Sequence, residues 1–319
     1  MTVVVRRIAS SLVMLFAVSV LSFAVLERAP GDFFAEMQAD ARVGSQTVED
    51  LRAQYGLTQS PIARYWQWLR SFVQGDLGFS LAHRAPVSSV IWARAGNTLL
   101  LTIPAMLVTW CLALPLGVWI ARHRNRWIDR VSSGLTSTLV AMPDLLVALL
   151  LLLLALRTGL FPTGGMRSPG ADDLGFWARL VDLGRHAFLP LLALIATTLP
   201  SVVRHVRASV IEAAEAPAVQ AARGYGIARS RITSRYVLPL AANPLVSLAG
   251  LSIATLLSAS LLIEVVMSWP GLGPLLVEAL LAKDVHVVLS ASMLASALLV
   301  IGNLAADLTL YAIDPRIRV

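Results

Sequence analysis

Long apolar runs, separated by shorter polar stretches, set the pattern of this chain. Six runs reach the ~20 residues that an α-helix needs to cross a hydrocarbon core about 30 Å thick. They lie at about 8–26, 98–121, 134–156, 187–203, 240–263 and 286–312. The fourth is the shortest and has room to begin at His186 or to extend toward Val206. The first follows Arg6 and Arg7 and ends in ERAPGD, without a small-x-small cleavage site, so it reads as an uncleaved anchor.

The polar stretches carry weaker periodicities. Between the first two spans, residues 28–97 form the largest soluble piece. Within it PIARYWQWLRSFV (61–73) places Ile62, Tyr65, Trp66, Leu69, Phe72 and Val73 at three- and four-residue spacing, which predicts a helix. Ser60 and Pro61 suit its cap and first turn. Its aromatic residues fit a bilayer interface, a lid, or plain packing against the spans.

Composition agrees with a membrane solvent: 57% of the residues are hydrophobic and 14% charged, more apolar surface than one soluble core would hide. The single cysteine, Cys111, gives no disulfide and no redox compartment. A net charge of +7 raises nucleic acid as a partner, but the basic residues follow the spans rather than one face or tail. With both termini placed inside, the inner segments hold 14 Arg against four acids, Asp129, Glu212, Glu215 and Asp314. The outer segments hold 12 of each sign when Glu264 is counted with the fifth span. The positive-inside rule then predicts that both termini face the cytoplasm.

Chemistry-bearing motifs are missing from the sequence. There is no G-x-x-x-x-G-K-[ST] phosphate loop, no H-E-x-x-H and no G-x-S-x-G. Gly224-Tyr-Gly226 follows no strand, so it is no nucleotide fingerprint. An enzyme is the weakest reading, and neither a cofactor nor a metal is expected.

One segment breaks the apolar pattern without an obvious reason. Between the fourth and fifth spans, residues 204–239 end in QAARGYGIARSRITSRYVLP. Its first half is alanine-rich and helix-favouring, with Pro217 as a kink or a new start. Gly224 and Gly226 then permit a reversal at positive φ, and the chain re-enters the membrane at Pro239. Two short helices with a tight turn between them follow. Small residues at Ala221, Ala222, Gly224 and Gly226 let another backbone approach, while Arg223 and its neighbours pair with acidic groups or lipid headgroups.

At this point the sequence resembles a known family. Gln220-Ala221-Ala222, with Gly226 six residues beyond Gln220 and Pro239 thirteen further on, is similar to the E-A-A-x-x-x-G … I-x-L-P signature of membrane subunits of ATP-binding-cassette (ABC) importers. The register puts Gln220 where that signature has glutamate; Glu212-Ala213-Ala214 is a false match, because Ala218 stands where glycine belongs. RAPGD (28–32), QGDLGFS (74–80), EVVMSWPGLG (264–273) and DPRIR (314–318) narrow the resemblance to the B-type permeases of dipeptide, oligopeptide and nickel importers.

The resemblance implies an all-α, six-span, type I ABC-importer permease with a helical extracytoplasmic loop, in a bacterial inner membrane. The implied partners are a second homologous permease (a heterodimer), two cytoplasmic ATPases that bind the ATP and Mg, and an extracytoplasmic substrate-binding protein. The parts would be an anchor and loop at 1–97, a permease core at 98–312 with its coupling loop at 204–239, and a tail at 313–319. Substrates of such relatives include peptides, nickel chelates and glutathione. The coupling site would comprise Gln220, Ala221, Ala222, Arg223, Gly224, Gly226 and Pro239, and the outer-face motif Glu264, Trp269, Pro270, Gly271 and Gly273. A self-contained secondary transporter would need internally related halves, and none is visible; a structural assembly protein would need no ATPase.

Polar residues within the spans are few. Asp144 falls about ten residues into the third span, near mid-depth at ~1.5 Å per residue. It either meets a cationic group of the solute or makes a helix-to-helix contact beside Pro143. Asn243 and Thr255 are candidates to line the passage on the fifth helix, although Asn243 equally suits backbone loosened by prolines. Glu264 either meets a partner or anchors the outer turn, and Asp307 finds a donor near the inner face.

Overall fold

The structure, a computed structural model, describes residues 2–28 and 58–313 with isolated positions between them, and for 2–6 and 306–313 the backbone only. The motif residues 29–32 and 314–318 and the side chain of Asp307 lie outside the described residues.

Ten helices carry the described chain: α1 (Thr2–Arg28), α2 (Pro61–Val73), α3 (Val87–Arg122), α4 (Trp127–Ala141), α5 (Asp144–Thr158), α6 (Phe176–Ala214), α7 (Pro217–Gly224), α8 (Arg229–Val266), α9 (Leu272–Leu281) and α10 (Val285–Ile313). Among the described residues, segments in α1, α3, α6, α8 and α10 are each long and apolar enough to cross a membrane. The α4–α5 pair makes a sixth span if its two arms count as one. Helices dominate because a chain in lipid must satisfy every backbone group within itself.

One expectation needs correction, and two helices run past their apolar cores. The span expected at 187–203 lies within a helix of 39 residues, and that expected at 98–121 within a helix that begins at Val87. Apolarity marks where a helix enters lipid, not where its hydrogen-bond ladder stops. The third span is not one rod over 134–156: α4 and α5 meet at a 95° bend. Pro143 has no N–H to donate, and it holds Met142 in extended backbone at φ −78° and ψ 128°. Asp144 is therefore the first residue of α5 rather than the middle of a continuous helix.

The chain divides into two compact units, residues 1–97 with 271–298 and residues 98–270 with 299–319. In the first, the Ser60 hydroxyl accepts the Ala63 N–H at 3.4 Å and caps α2 behind Pro61, as the sequence predicts. Phe23, Trp68, Leu289 and Met293 form its buried cluster. A two-residue hairpin, β1 (Phe79–Ser80) against β2 (Ala85–Pro86), is a small addition to the all-α fold. It is held by the buried carboxylate of Asp284, which accepts from Ser80 Oγ at 2.7 Å and the Ala82 N–H at 3.1 Å.

In the second unit, one buried cluster joins Leu101, Ala148, Ala155, Ala193, Leu256 and Ile263, from α3, α5, α6 and α8. The alanines matter: without a hydrophobic drive between helices in lipid, small side chains that allow close backbone approach hold spans together. Gly117 shows how close this is, since a Cβ there would stand 2.6 Å from Val206 Cγ1. The return helix α8 contains one wide turn, Thr233–Val237, in which the Leu238 N–H reaches back five residues to the Thr233 carbonyl. Pro239 follows it directly and cannot supply the amide a regular helix would use there.

Candidate functional site

The segment that interrupted the apolar pattern is a short, rigid projection. α6 ends at Ala214, Ala216 is extended at ψ 142°, and Pro217 starts α7 at a position where a missing N–H costs nothing. Eight residues later α7 closes. The Gly226 N–H donates to the Arg223 carbonyl at 3.0 Å, and the Ile227 N–H donates to the Ala222 carbonyl at 3.3 Å. Gly226 itself has φ +73°. These two bonds around a left-handed glycine are a Schellman closure, in which a side chain at Gly226 would be strained. Gly224 is different. Its φ is not positive, and a Cβ added there would meet nothing within 4 Å.

α7 has two faces. Val219 and Ala222 are buried in a cluster with Ile120, Val206, Val210, Ala213, Ile232 and Val237. Gln220, Ala221, Arg223 and Gly224 are exposed, and Tyr225 at the tip is 86% exposed. Ala222, expected among the small residues open to another backbone, faces inward instead. It sits three residues after Val219, on the same helical face.

Gln220 takes a role that the sequence did not reveal. Its Nε2 donates to the Ala214 carbonyl at 3.4 Å, one of the acceptors left over at the end of α6. A carboxylate at this position would offer acceptors only, so the amide suits this joint where the signature's glutamate would not. Pro239 lies exposed on the return helix, beyond the wide turn.

A second set of contacts braces the base of the projection. Arg207 on α6 donates from Nε to Asp129 Oδ1 at 2.6 Å and from its terminal nitrogen to Oδ2 at 2.9 Å. The Asn125 N–H also reaches Asp129 Oδ2, at 3.0 Å. Arg124 pairs with Glu215, in the joint between α6 and α7. The link between α3 and α4 is thus pinned to the helix that carries α7. An acid among the arginines of that link was the available sequence signal.

The remaining candidates lie apart from this region. Asp144 is half-buried in the first turn of α5, where a carboxylate complements the helix dipole. Asn243 is half-buried on α8. Thr255 is exposed, and its hydroxyl bonds back to the Ser252 carbonyl at 3.0 Å. In the outer-face motif Glu264 and Trp269 are fully buried, and the Trp269 N–H donates to the Glu264 carbonyl at 2.8 Å, closing the end of α8. Pro270 is half-buried, Gly271 caps α9 in extended backbone, and Gly273 is buried in its first turn. Among the described residues no three His, Cys, Asp or Glu side chains gather as metal ligands.

A bundle of long apolar helices with a two-faced helix between its fourth and fifth spans defines an integral membrane permease. The model of binding-protein-dependent transport system inner membrane components matches residues 113–319, and that of the N-terminal part of such components matches residues 1–102. The chain belongs to this family: it is a membrane subunit of an ABC importer, not an enzyme. It is 30% identical to the oligopeptide transport system permease protein AppB of Bacillus subtilis, over 99% of this chain and 98% of that one. It is 32% identical to the glutathione transport system permease protein GsiC of Escherichia coli K12, over 99% and 98% of the two chains. In fold it is similar to an inward-facing structure of the MetNI methionine ABC transporter, with a TM-score of 0.58 at 18% identity, over 72% of this chain and 98% of that one.

Proposed function

We propose that this permease forms half of the passage through which an ATP-driven importer takes up peptides, and that α7 is where a cytoplasmic ATPase moves it. The two faces of α7 carry the reading. Val219 and Ala222 fix it to the core of its unit, while Gln220, Ala221, Arg223 and Gly224 are exposed on the other side. A helix held this way cannot swing alone, so a displacement of its exposed face is passed to α6 and α8. The Asp129–Arg207 and Arg124–Glu215 pairs extend the rigid body to the α3–α4 link. The excess of arginine in the same segments supports an orientation with both termini and α7 in the cytoplasm.

In this reading a second homologous permease completes the passage, a binding protein delivers the solute from outside, and ATP and Mg are held by the ATPases. Peptide uptake, including small peptides such as glutathione, is supported by the relatives named for those substrates. A lone secondary transporter would leave α7 without a partner.

The test uses the exposed small residues. Ala221→Trp and Gly224→Trp are expected to abolish co-purification of the ATPase and ATP-dependent peptide uptake while leaving the thermal unfolding of the permease unchanged. Full ATPase recovery with both variants would overturn the docking assignment. Val219→Trp, which enters the core, is expected to lower stability instead.

A further inference from the structure

α2 hides only half of its apolar surface within the protein. Tyr65, Trp68 and Phe72 turn toward the buried cluster, where Phe23 lies edge-on to Tyr65 with ring centroids 5.4 Å apart. A second apolar stripe, about 40° wide at ~100° per residue, runs alongside it through Ile62, Trp66 and Val73, with Leu69 on the edge packed against the cluster. It is uncovered: Ile62 is 73% exposed, Trp66 58% and Val73 78%. The polar residues Gln67 and Arg70 stand off this stripe.

The contacts of α2 with α1 give its depth. Arg64 pairs with Glu27 at 3.3 Å, and the Tyr65 hydroxyl meets Ser19 Oγ at 2.9 Å. Ser19 is nine residues before Arg28, hence about 13 Å below that end of the helix at 1.5 Å per residue. The candidate span Arg7–Arg28 fills a hydrocarbon core of roughly 30 Å. α2 therefore lies beside the outer part of a helix whose other faces are open, with Leu21 and Val25 among its exposed residues. A groove lined by Val20, Ala24, Pro61 and Ile62 continues that surface onto the α2 stripe.

We infer that the Ile62–Trp66–Val73 stripe is a lipid contact: α2 lies in the leaflet that meets the Arg28 end of α1, with Trp66 at the interfacial level that such rings favour. The occupant is bilayer lipid because the stripe continues a transmembrane surface at membrane depth. The polar side carries Gln67 and Arg70, as an interfacial helix requires. The inference depends only on the chain crossing a membrane, not on which partner drives it.

Spin labels test it in the full chain, purified with its co-purifying subunits and reconstituted in phospholipid nanodiscs. Single cysteines replace Ile62, Trp66 and Val73, with Gln67 and Arg70 as polar-face controls, in a Cys111→Ser background that removes the native exposed thiol. Collisions with oxygen are expected to exceed those with water-soluble chromium oxalate at 62, 66 and 73, and the order is expected to reverse at 67 and 70. Chromium oxalate dominating at the stripe would show water there, and protection from both reagents would show a covering protein segment. Either result overturns the inference. Should Trp66→Cys not assemble, the readings at 62 and 73 decide.

Discussion

α1 and α6 are both apolar enough to cross a membrane, yet the protein uses them in opposite ways. Of the most apolar stretch of α1, 11% is buried in the protein; of that of α6, 56%. Both are apolar enough to be spans, since lipid tails and leucine side chains are equally good surroundings for an apolar residue. What separates them is what else they carry. α6 brings Ala187 and Ala193 into the core, pairs the Thr198 hydroxyl with Thr109 at 3.2 Å, and grips Asp129 through Arg207. α1 offers less: the fully buried Ser19 and, at its end, Glu27 paired with Arg64. In this protein, small and polar residues mark the helix faces packed against other helices, and large apolar ones the faces left open.

The sharpest way to break that contrast is at the ion pair. Removing one partner of a buried pair leaves the other uncompensated, at a cost of about 3–5 kcal/mol. The Arg207 side chain keeps 26% exposure, which places Asp129→Ala at the lower end, near ~3 kcal/mol of unfolding free energy in detergent. Asp129→Leu combined with Arg207→Met should recover most of that loss. A smaller effect is expected from Gly117→Leu, where an added side chain drives α3 away from Val206 and costs about 1–3 kcal/mol. The smallest belongs to α1: Leu12→Ala and Val13→Ala, both at exposed positions, should shift stability by less than ~0.5 kcal/mol. If the α1 variants lost as much as Gly117→Leu, the division between packed and open helix faces would be wrong.

Much of this arrangement was legible in the residues. Runs of about 20 apolar positions located the spans. Ser60-Pro61 marked the start of α2, and Pro143 marked a break, although not its size. The glycine and proline spacing around Gln220 located α7 but not its buried face, since Ala222 reads as one more small open residue until Val219 is seen to turn inward beside it. Other features left no mark at short range. Asp129 and Arg207 are 78 residues apart, and no periodicity links them. The extensions of α3 and α6 past their apolar cores pass through polar residues that allow a helix without announcing one. The hairpin at 79–86 is two residues per strand, too short for an alternation to show.

The wide turn at Thr233–Val237 has one more consequence. An extra residue in a single turn advances everything beyond it by about 100° around the axis. The part of α8 that packs against α7 and the part inside the bilayer are therefore one continuous rod with two independent rotational settings. The side presented to α7 does not dictate the side presented to the other spans. The two surfaces therefore need not share one sequence pattern, and under the proposed coupling a pull on α7 would travel along a rod whose two ends are patterned separately.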